Sequence, residues 1–206
     1  MIEDRFLVRL QRLAADGRRR ILGLAGAPGA GKSTLAQAIL DALPGRAVVV
    51  PMDGFHLANV ELERLGRASR KGAEDTFDSA GYAALLGRLR TQRDDEMIYA
   101  PTFRREIEEP IAGAIPVMPD VPLVITEGNY LLLRHGHWKA VRPLLDEAWY
   151  VDIDPELRKQ RLVARHVKFG RDEDAARRWV QQTDEVNAAL IDSTRASADL
   201  VFHWAS

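Results

Sequence analysis

Apolar positions along this chain fall into two rhythms: stripes at helical spacing and short unbroken runs. Ile2, Phe6, Leu7, Leu10, Leu13 and Ala14 share one helical face, so a leading helix is predicted. Arg18, Arg19 and Arg20 then separate it from a run, Ile21 to Ala25, that reads as a buried strand. A glycine-rich loop follows. Leu35 to Leu43 predicts a helix closed by Pro44 and Gly45. Ala47 to Val50 predicts a second buried strand that ends near Asp53. Strand, helix and strand in about thirty residues predict a βαβ unit and a parallel sheet.

The middle of the chain is less regular. HLANVELERLG (56–66) predicts a helix, and RASRKGAEDTFD (67–78) predicts a polar loop. SAGYAALLGRLRTQ (79–92) predicts a helix capped by Asp78 or Ser79. IYAPTFRREIEEP (98–110) reads as an edge strand and loop because of its proline and charges. PIAGAIPVMPD (110–120) reads as a strand or hairpin returning to the sheet. Further buried strands are expected at Leu123 to Thr126 and Ala148 to Asp152. A helix should begin with Pro155 in its first turn and stop at Gly170. Residues 172–192 predict a second amphipathic helix, and ADLVFHW (198–204) a last strand. The expected architecture is α/β throughout, one domain over residues 1–206 with no composition break.

Composition narrows the function classes. The chain has 206 residues, enough for one full core with a modest insertion. Lys plus Arg total 29 against 30 Asp plus Glu, so no global charge argues for nucleic acid or an anionic membrane. The absence of cysteine excludes disulfides, thiolate catalysis and cysteine-bound zinc, and fits a reducing cytoplasm. Glu3, Asp4 and a broken apolar pattern argue against a signal peptide. No apolar run approaches the ~20 residues of a membrane span.

The stretch GAPGAGKST (26–34) carries the chemistry. Gly26, Ala27, Pro28, Gly29, Ala30, Gly31, Lys32, Ser33 and Thr34 match a phosphate-binding loop, set between a predicted strand and a predicted helix. Glycines let successive backbone N–H groups converge on phosphate oxygens, and the helix N-terminus adds partial positive charge. Lys32 would reach the β- and γ-phosphates, and Ser33 would bind Mg²⁺. Two acids end apolar strands: Asp53 and Glu127. The carboxyl ends of parallel strands line the ligand crevice, so both could face Mg²⁺ and the γ-phosphate. A strand-end cap would explain either acid alone. The pair, in a chain with a phosphate loop, favours function.

Other candidates have two readings. Arg158, Arg161 and Arg165 recur at i, i+3 and i+7, so they form either a solvated stripe or a lid. Lys71 is either solvated or binds an anionic acceptor. His56, close to Asp53, either touches substrate or packs. His135 and His137 read as a surface loop, with no third metal ligand at a recognisable spacing. His166 and His203 read as structural. Trp138, Trp149, Trp179 and Trp204 read as core, with Trp179 alternatively bracing the lid.

GAPGAGKSTL, MDGFHL, KGAEDTFD, YAPTFRREIEEP, ITEGNYLLL and VDIDPELRKQRLVARHVKFGR together resemble the uridine kinase, pantothenate kinase and phosphoribulokinase group of P-loop kinases. Within it they are most similar to a bacterial branch labelled nucleoside/nucleotide kinase or fructose transport system kinase. The resemblance runs from about Ile21 to the C-terminus. It implies a three-layer α/β/α fold with a mainly parallel sheet, an acceptor-side insertion at about 54–118 and a helical lid at about 158–175. It implies ATP and Mg²⁺ and transfer of a phosphoryl group to a small molecule. Asp53 would be the catalytic base or hold Mg²⁺ through water, and Glu127 would support Mg²⁺ and its waters. Phe55, His56, Lys71, Phe77, Asp78, Tyr99, Arg104, Glu127 and Tyr130 would lie on the substrate side. Arg161, Arg165 and Arg171 would belong to the lid, with a cation such as Arg165 offsetting charge on the moving phosphoryl group. The acceptor class implied is a fructose-type sugar or a nucleoside. The alternative is a regulatory ATPase or GTPase-like module without an acceptor. Against it, no Asn-Lys-x-Asp guanine motif and no Leu-Ser-Gly-Gly-Gln run occurs. Homo-oligomers are compatible with the sequence but not readable from it.

Overall fold

The computed structural model describes residues 2–15 and 17–204. Five strands form one parallel sheet: β1 (Arg20–Ala25), β2 (Ala47–Pro51), β5 (Leu123–Gly128), β6 (Glu147–Asp152) and β7 (Leu200–His203). Their order is β2-β5-β1-β6-β7. β1 and β2 are thus parallel but not neighbours, since β5 inserts between them. The chain moves to one side of β1 for β2 and to the other for β6, which puts the switch point beside β1. The phosphate loop opens at that point.

Parity along the strands builds two cores. Leu22, Leu24, Leu123, Ile125, Trp149 and Val151 pack on one face with Leu35 and Ile39 of α2 (Lys32–Ala42) and Phe6 and Leu10 of α1 (Asp4–Leu13). Ile21, Val124, Ala148 and Tyr150 turn to the other face. There they meet Tyr82, Leu86 and Leu89 of α4 (Ser79–Arg90), Trp138, and Ile191 of α7 (Glu185–Asp192). Unbroken apolar runs are what a strand needs when both of its faces are covered. The result is three layers, α/β/α.

The predicted helices form with small shifts. α2 begins at Lys32 rather than Leu35, directly out of the glycine loop. α3 (Asn59–Arg64) is short, and the polar loop after it holds two 3₁₀ turns, Ala68–Arg70 and Glu74–Thr76. Asp78 caps α4 by accepting from the Gly81 N–H at 2.8 Å. α5 (Pro155–Lys168) begins at Pro155 with Asp154 as its cap.

Two expectations need correction. The strand over 109–117 does not return to the central sheet. β3 (Ile98–Arg104) and β4 (Glu109–Val117) make a separate antiparallel hairpin. Pro101, Pro110 and Pro116 lack ladder donors, which suits a two-stranded ribbon more than a sheet interior. Residues 172–192 also do not form one regular α-helix. α6 (Glu173–Trp179) passes through a π-helical turn, Val180–Asp184, into α7. Ala176, Val180, Asp184, Asn187 and Ile191 are all buried across that turn. Widened turns of this kind are frequent at functional sites.

Candidate active site

A cleft of about 860 Å³ opens at the carboxyl ends of β1, β2 and β5. Its floor is the phosphate loop. Gly26, Gly29 and Gly31 take φ of 152°, 80° and 90°. A Cβ on Gly26 would stand 2.6 Å from the Val151 carbonyl oxygen, and one on Gly31 would stand 2.8 Å from the Trp204 indole nitrogen. Only glycine fits this backbone path.

Lys32, at the start of α2, points into the loop and is 7% exposed. Its ammonium donates to the carbonyls of Gly26 (2.8 Å) and Ala27 (3.1 Å) and to Asn129 Oδ1 (2.8 Å). Burial lowers its pKa to about 8, against the opposing pull of Glu127 and Asp53. The neighbouring Ser33 hydroxyl donates to Glu127 Oε1 at 2.9 Å.

Asp53 lies on a 3₁₀ turn (Met52–Phe55) at the end of β2. Arg105 Nη2 approaches its Oδ2 at 3.0 Å. Burial pushes this carboxyl up, but His56, Arg105, Lys32 and Arg165 outweigh it and hold Asp53 below the usual carboxylate range. Burial and the Asp53 charge push Glu127 the other way, above its usual value. Two neighbouring carboxyls are thus driven apart, the pattern by which acid and base roles separate.

His56 is held between the rings of Phe77 and Phe103, at centroid distances of 4.0 and 4.5 Å. Its Nδ1–H donates to the Asp53 carbonyl oxygen at 2.7 Å, and burial lowers its pKa. The neutral ring therefore keeps Nε2 as an acceptor.

The cleft gathers much of the predicted set. Pro28, Gly29, Gly31, Lys32, Ser33 and Thr34 line it. Asp53, His56, Lys71, Phe77 and Glu127 join them, as do Arg161, Arg165 and Arg171. Gly26, Ala27 and Ala30 are in the same loop but do not line the cavity, and contribute backbone. Five predicted substrate residues are not brought to the cleft. Phe55 packs edge-on against Tyr82 at 5.2 Å. Asp78 is occupied as the α4 cap. Tyr130 is buried, its hydroxyl donating to the Gly72 carbonyl at 2.6 Å. Tyr99 is 57% exposed on the hairpin. Arg104 is exposed and pairs with Glu106 at 3.8 Å, while its neighbour Arg105 reaches Asp53.

The lid stripe also divides. Arg161 and Arg165 line the cleft, but Arg158 is buried, bound to the Pro28 carbonyl (3.4 Å) and to Glu185. Arg171 stacks on Trp179, its guanidinium carbon 3.8 Å from the ring centroid. Trp138 and Trp149 are core residues, whereas Trp179 and Trp204 line the cleft. Trp204 donates to the Ala30 carbonyl at 3.1 Å. His166 lines the cleft as well, held by Asp184 at 2.9 Å. Asn129 carries no charge or motif position that marks it in the sequence, although it lies two residues beyond Glu127 and shares its strand exit.

The protein-side donors fit a divalent ion with a triphosphate. Mg²⁺ takes one or two carboxylates and completes its shell with phosphate oxygens and water. Ser33, Glu127 and Asp53 are a set of that size and hardness, beside a loop that a Cβ would obstruct.

The Lys32 pKa has a testable sign. A free-state value near 8, against 10.5 for an ordinary lysine, means that charged Lys32 is costly to bury. Its contribution to stability is full above the unfolded value and is lost as pH falls through the folded one. Phosphate binding needs the charged form, so the trend for nucleotide is reversed. Mg-ATP affinity should fall as pH rises through 8, approaching about tenfold per unit. Calorimetry from pH 6.5 to 9.5 measures this, with proton uptake above pH 8. A flat profile with no uptake would contradict the assignment.

Comparisons with known proteins place the chain among kinases. The phosphoribulokinase/uridine kinase family matches residues 21–206. A fission yeast protein named "Putative uridine kinase C227.14" (Schizosaccharomyces pombe) is 32% identical, covering 96% of this chain and 88% of its own. An Aspergillus versicolor protein named ATP-dependent kinase-like protein notR' is 36% identical over 70% of this chain and 88% of its own. A crystal structure of a "putative fructose transport system kinase" from Silicibacter sp. TM1040 superposes with a TM-score of 0.88 at 36% identity, covering 98% of this chain and 99% of that one. The chain belongs to the phosphoribulokinase/uridine kinase family of P-loop kinases.

Proposed function

We propose that this protein transfers the γ-phosphoryl group of Mg-ATP to a hydroxyl of a small metabolite. The observation that carries this reading is the Asp53 carboxylate. Its Oδ2 accepts from Arg105 at 3.0 Å, in a cleft that continues past the phosphate loop toward His56, Lys71 and Phe77. A loop that only held nucleotide would not need that extension of the cleft.

In this reading residues 26–34 hold the triphosphate through backbone N–H groups, and Lys32 leaves its carbonyl partners for phosphate oxygens. Ser33 and Glu127 would hold Mg²⁺, with Asp53 reaching it only through a bound water, and the ion would supply charge neutralisation at the phosphates. Asp53 orients the acceptor hydroxyl and accepts its proton as the oxygen attacks phosphorus. Arg161 and Arg165, on the lid of about 158–175, offset charge on the equatorial oxygens. The insertion of about 54–118 walls the acceptor chamber. We assign the cytoplasm as its compartment. Two relatives carry names that point to a nucleoside and to a fructose-type sugar as acceptor.

Coupled ADP release over a panel of sugars, nucleosides and hydroxy acids tests the reading. The expected result is turnover that rises many-fold with one acceptor class. ATP turnover at full rate without any acceptor would instead identify a regulatory ATPase.

A further inference from the structure

Two cations of the acceptor side of the cleft, Lys71 and Arg105, are incompletely paired. Lys71 reaches the cleft from the loop after the Ala68–Arg70 turn, and Arg105 from just beyond the end of β3. Both stand over one ring: Lys71 Nζ lies 5.2 Å and the Arg105 guanidinium carbon 5.8 Å from the Phe103 centroid. Separate segments thus bring two positive charges to one aromatic wall.

The partners of Lys71 are neutral. Its ammonium donates to Asn59 Oδ1 at 2.5 Å and to the Glu108 carbonyl. Among the described residues no carboxylate lies within ion-pair distance of it. Glu109, the nearby acid, is engaged by the Asn59 backbone N–H at 3.0 Å. The Glu108 carboxylate lies at the exposed rim, on a residue with φ of 52°. Burial accordingly lowers the Lys71 pKa despite Glu108 and Glu109. A cation held by an amide and a carbonyl stays in place but is not neutralised.

Arg105 has the opposite arrangement. Among the described residues its guanidinium makes one hydrogen bond, to Asp53. A guanidinium carries five N–H donors. The rest of the fork is therefore free for a planar anion, which it can grip in bidentate fashion. Asp53 must also turn toward an acceptor hydroxyl during transfer, which leaves Arg105 in need of a second anionic partner.

We propose that Lys71 and Arg105, over Phe103, form an anion subsite, and that the acceptor is a hydroxylated small molecule carrying a phosphate or carboxylate rather than a neutral sugar or nucleoside. This rests on the kinase reading and narrows it. The two cations would hold the anionic end, and the length of the acceptor would bring its free hydroxyl to Asp53.

Matched probes test this. The protein is saturated with a non-hydrolysable Mg-ATP analogue, so that the phosphate loop is filled. D-glycerate and glycerol, then fructose 6-phosphate and fructose, are titrated by calorimetry. One anionic member should bind roughly 10- to 100-fold more tightly than its neutral twin, the worth of one or two charge-assisted hydrogen bonds. Arg105→Ala and Lys71→Ala should each shrink that ratio toward one, and raising salt should do the same. Arg105→Lys should restore only part of it. Equal or tighter binding of the neutral twins, no binding of any anion, or an unchanged ratio in a variant combining Lys71→Ala with Arg105→Ala would overturn the subsite. The two readings fail separately. Acceptor-dependent ADP release with neutral probes only would keep the kinase and remove the subsite. Anion binding without ADP release on any acceptor would keep the subsite and remove the kinase.

Discussion

Lys32→Ala is expected to abolish phosphoryl transfer, with kcat/KM for ATP falling on the order of 10³-fold or more. The side chain is the one ammonium seated inside the phosphate loop, already directed at Gly26, Ala27 and Asn129. These neutral acceptors hold it while the loop is empty. Phosphate oxygens are stronger partners, so exchange costs little reorganisation, and the same donor then meets the charge that spreads during transfer. Lys32→Met tests the chemistry against packing, since it keeps the stem and loses the charge. Both variants should keep a cooperative thermal transition and lose turnover alike. Retention of more than about a tenth of wild-type turnover in the Met variant would exclude a role in transfer.

Asp53→Asn is expected to have the second largest effect, with a different signature. kcat should fall roughly 10²- to 10⁴-fold, the range for loss of a general base. Mg-ATP affinity should change far less, because Lys32 and the loop backbone carry the triphosphate. Asparagine preserves shape and can still accept from Arg105, so the variant isolates proton acceptance. The low-pH limb of the kcat profile reports the carboxylate. Because His56, Arg105, Lys32 and Arg165 hold Asp53 below the usual carboxylate range, that limb should lie at unusually low pH in the wild type and vanish in the variant. Near-wild-type turnover of Asp53→Asn would remove the base assignment.

Both effects trace to features legible in the sequence. The phosphate loop, the strand exits at Asp53 and Glu127, and both sheet faces follow from apolar runs and a glycine spacing, which are local signals. What was not legible depends on which way an irregular segment turns. Arg104 and Arg105 are adjacent, and a register shift between Ala100 and Thr102 alters the alternation that strand pairing would predict. Arg105 reaches Asp53 from the turn just past β3, while Arg104, the last residue of β3, faces Glu106 at the surface. Tyr130 and Phe55 carry aromatic side chains suited to a ligand, but the core claims both. Trp204 reads as core from its apolar strand, yet it stands one residue past β7, where the indole can turn onto Gly31 and Ala30. Arg158 leaves the stripe of Arg161 and Arg165 because residues at i and i+3 on a helix that packs against the loop do not have equal access to solvent. Long-range pairing, as between Arg158 and Glu185, leaves no local pattern to read.

The central claim is that the γ-phosphoryl group leaves ATP for a hydroxyl. Incubation with ATP labelled in the γ-position, with and without the acceptor panel, follows that group directly. Label is expected in an organic phosphate ester, appearing only with acceptor, in equal amount to ADP and lost in Asp53→Asn. Label appearing only as inorganic phosphate, at the same rate with or without acceptor, would contradict it.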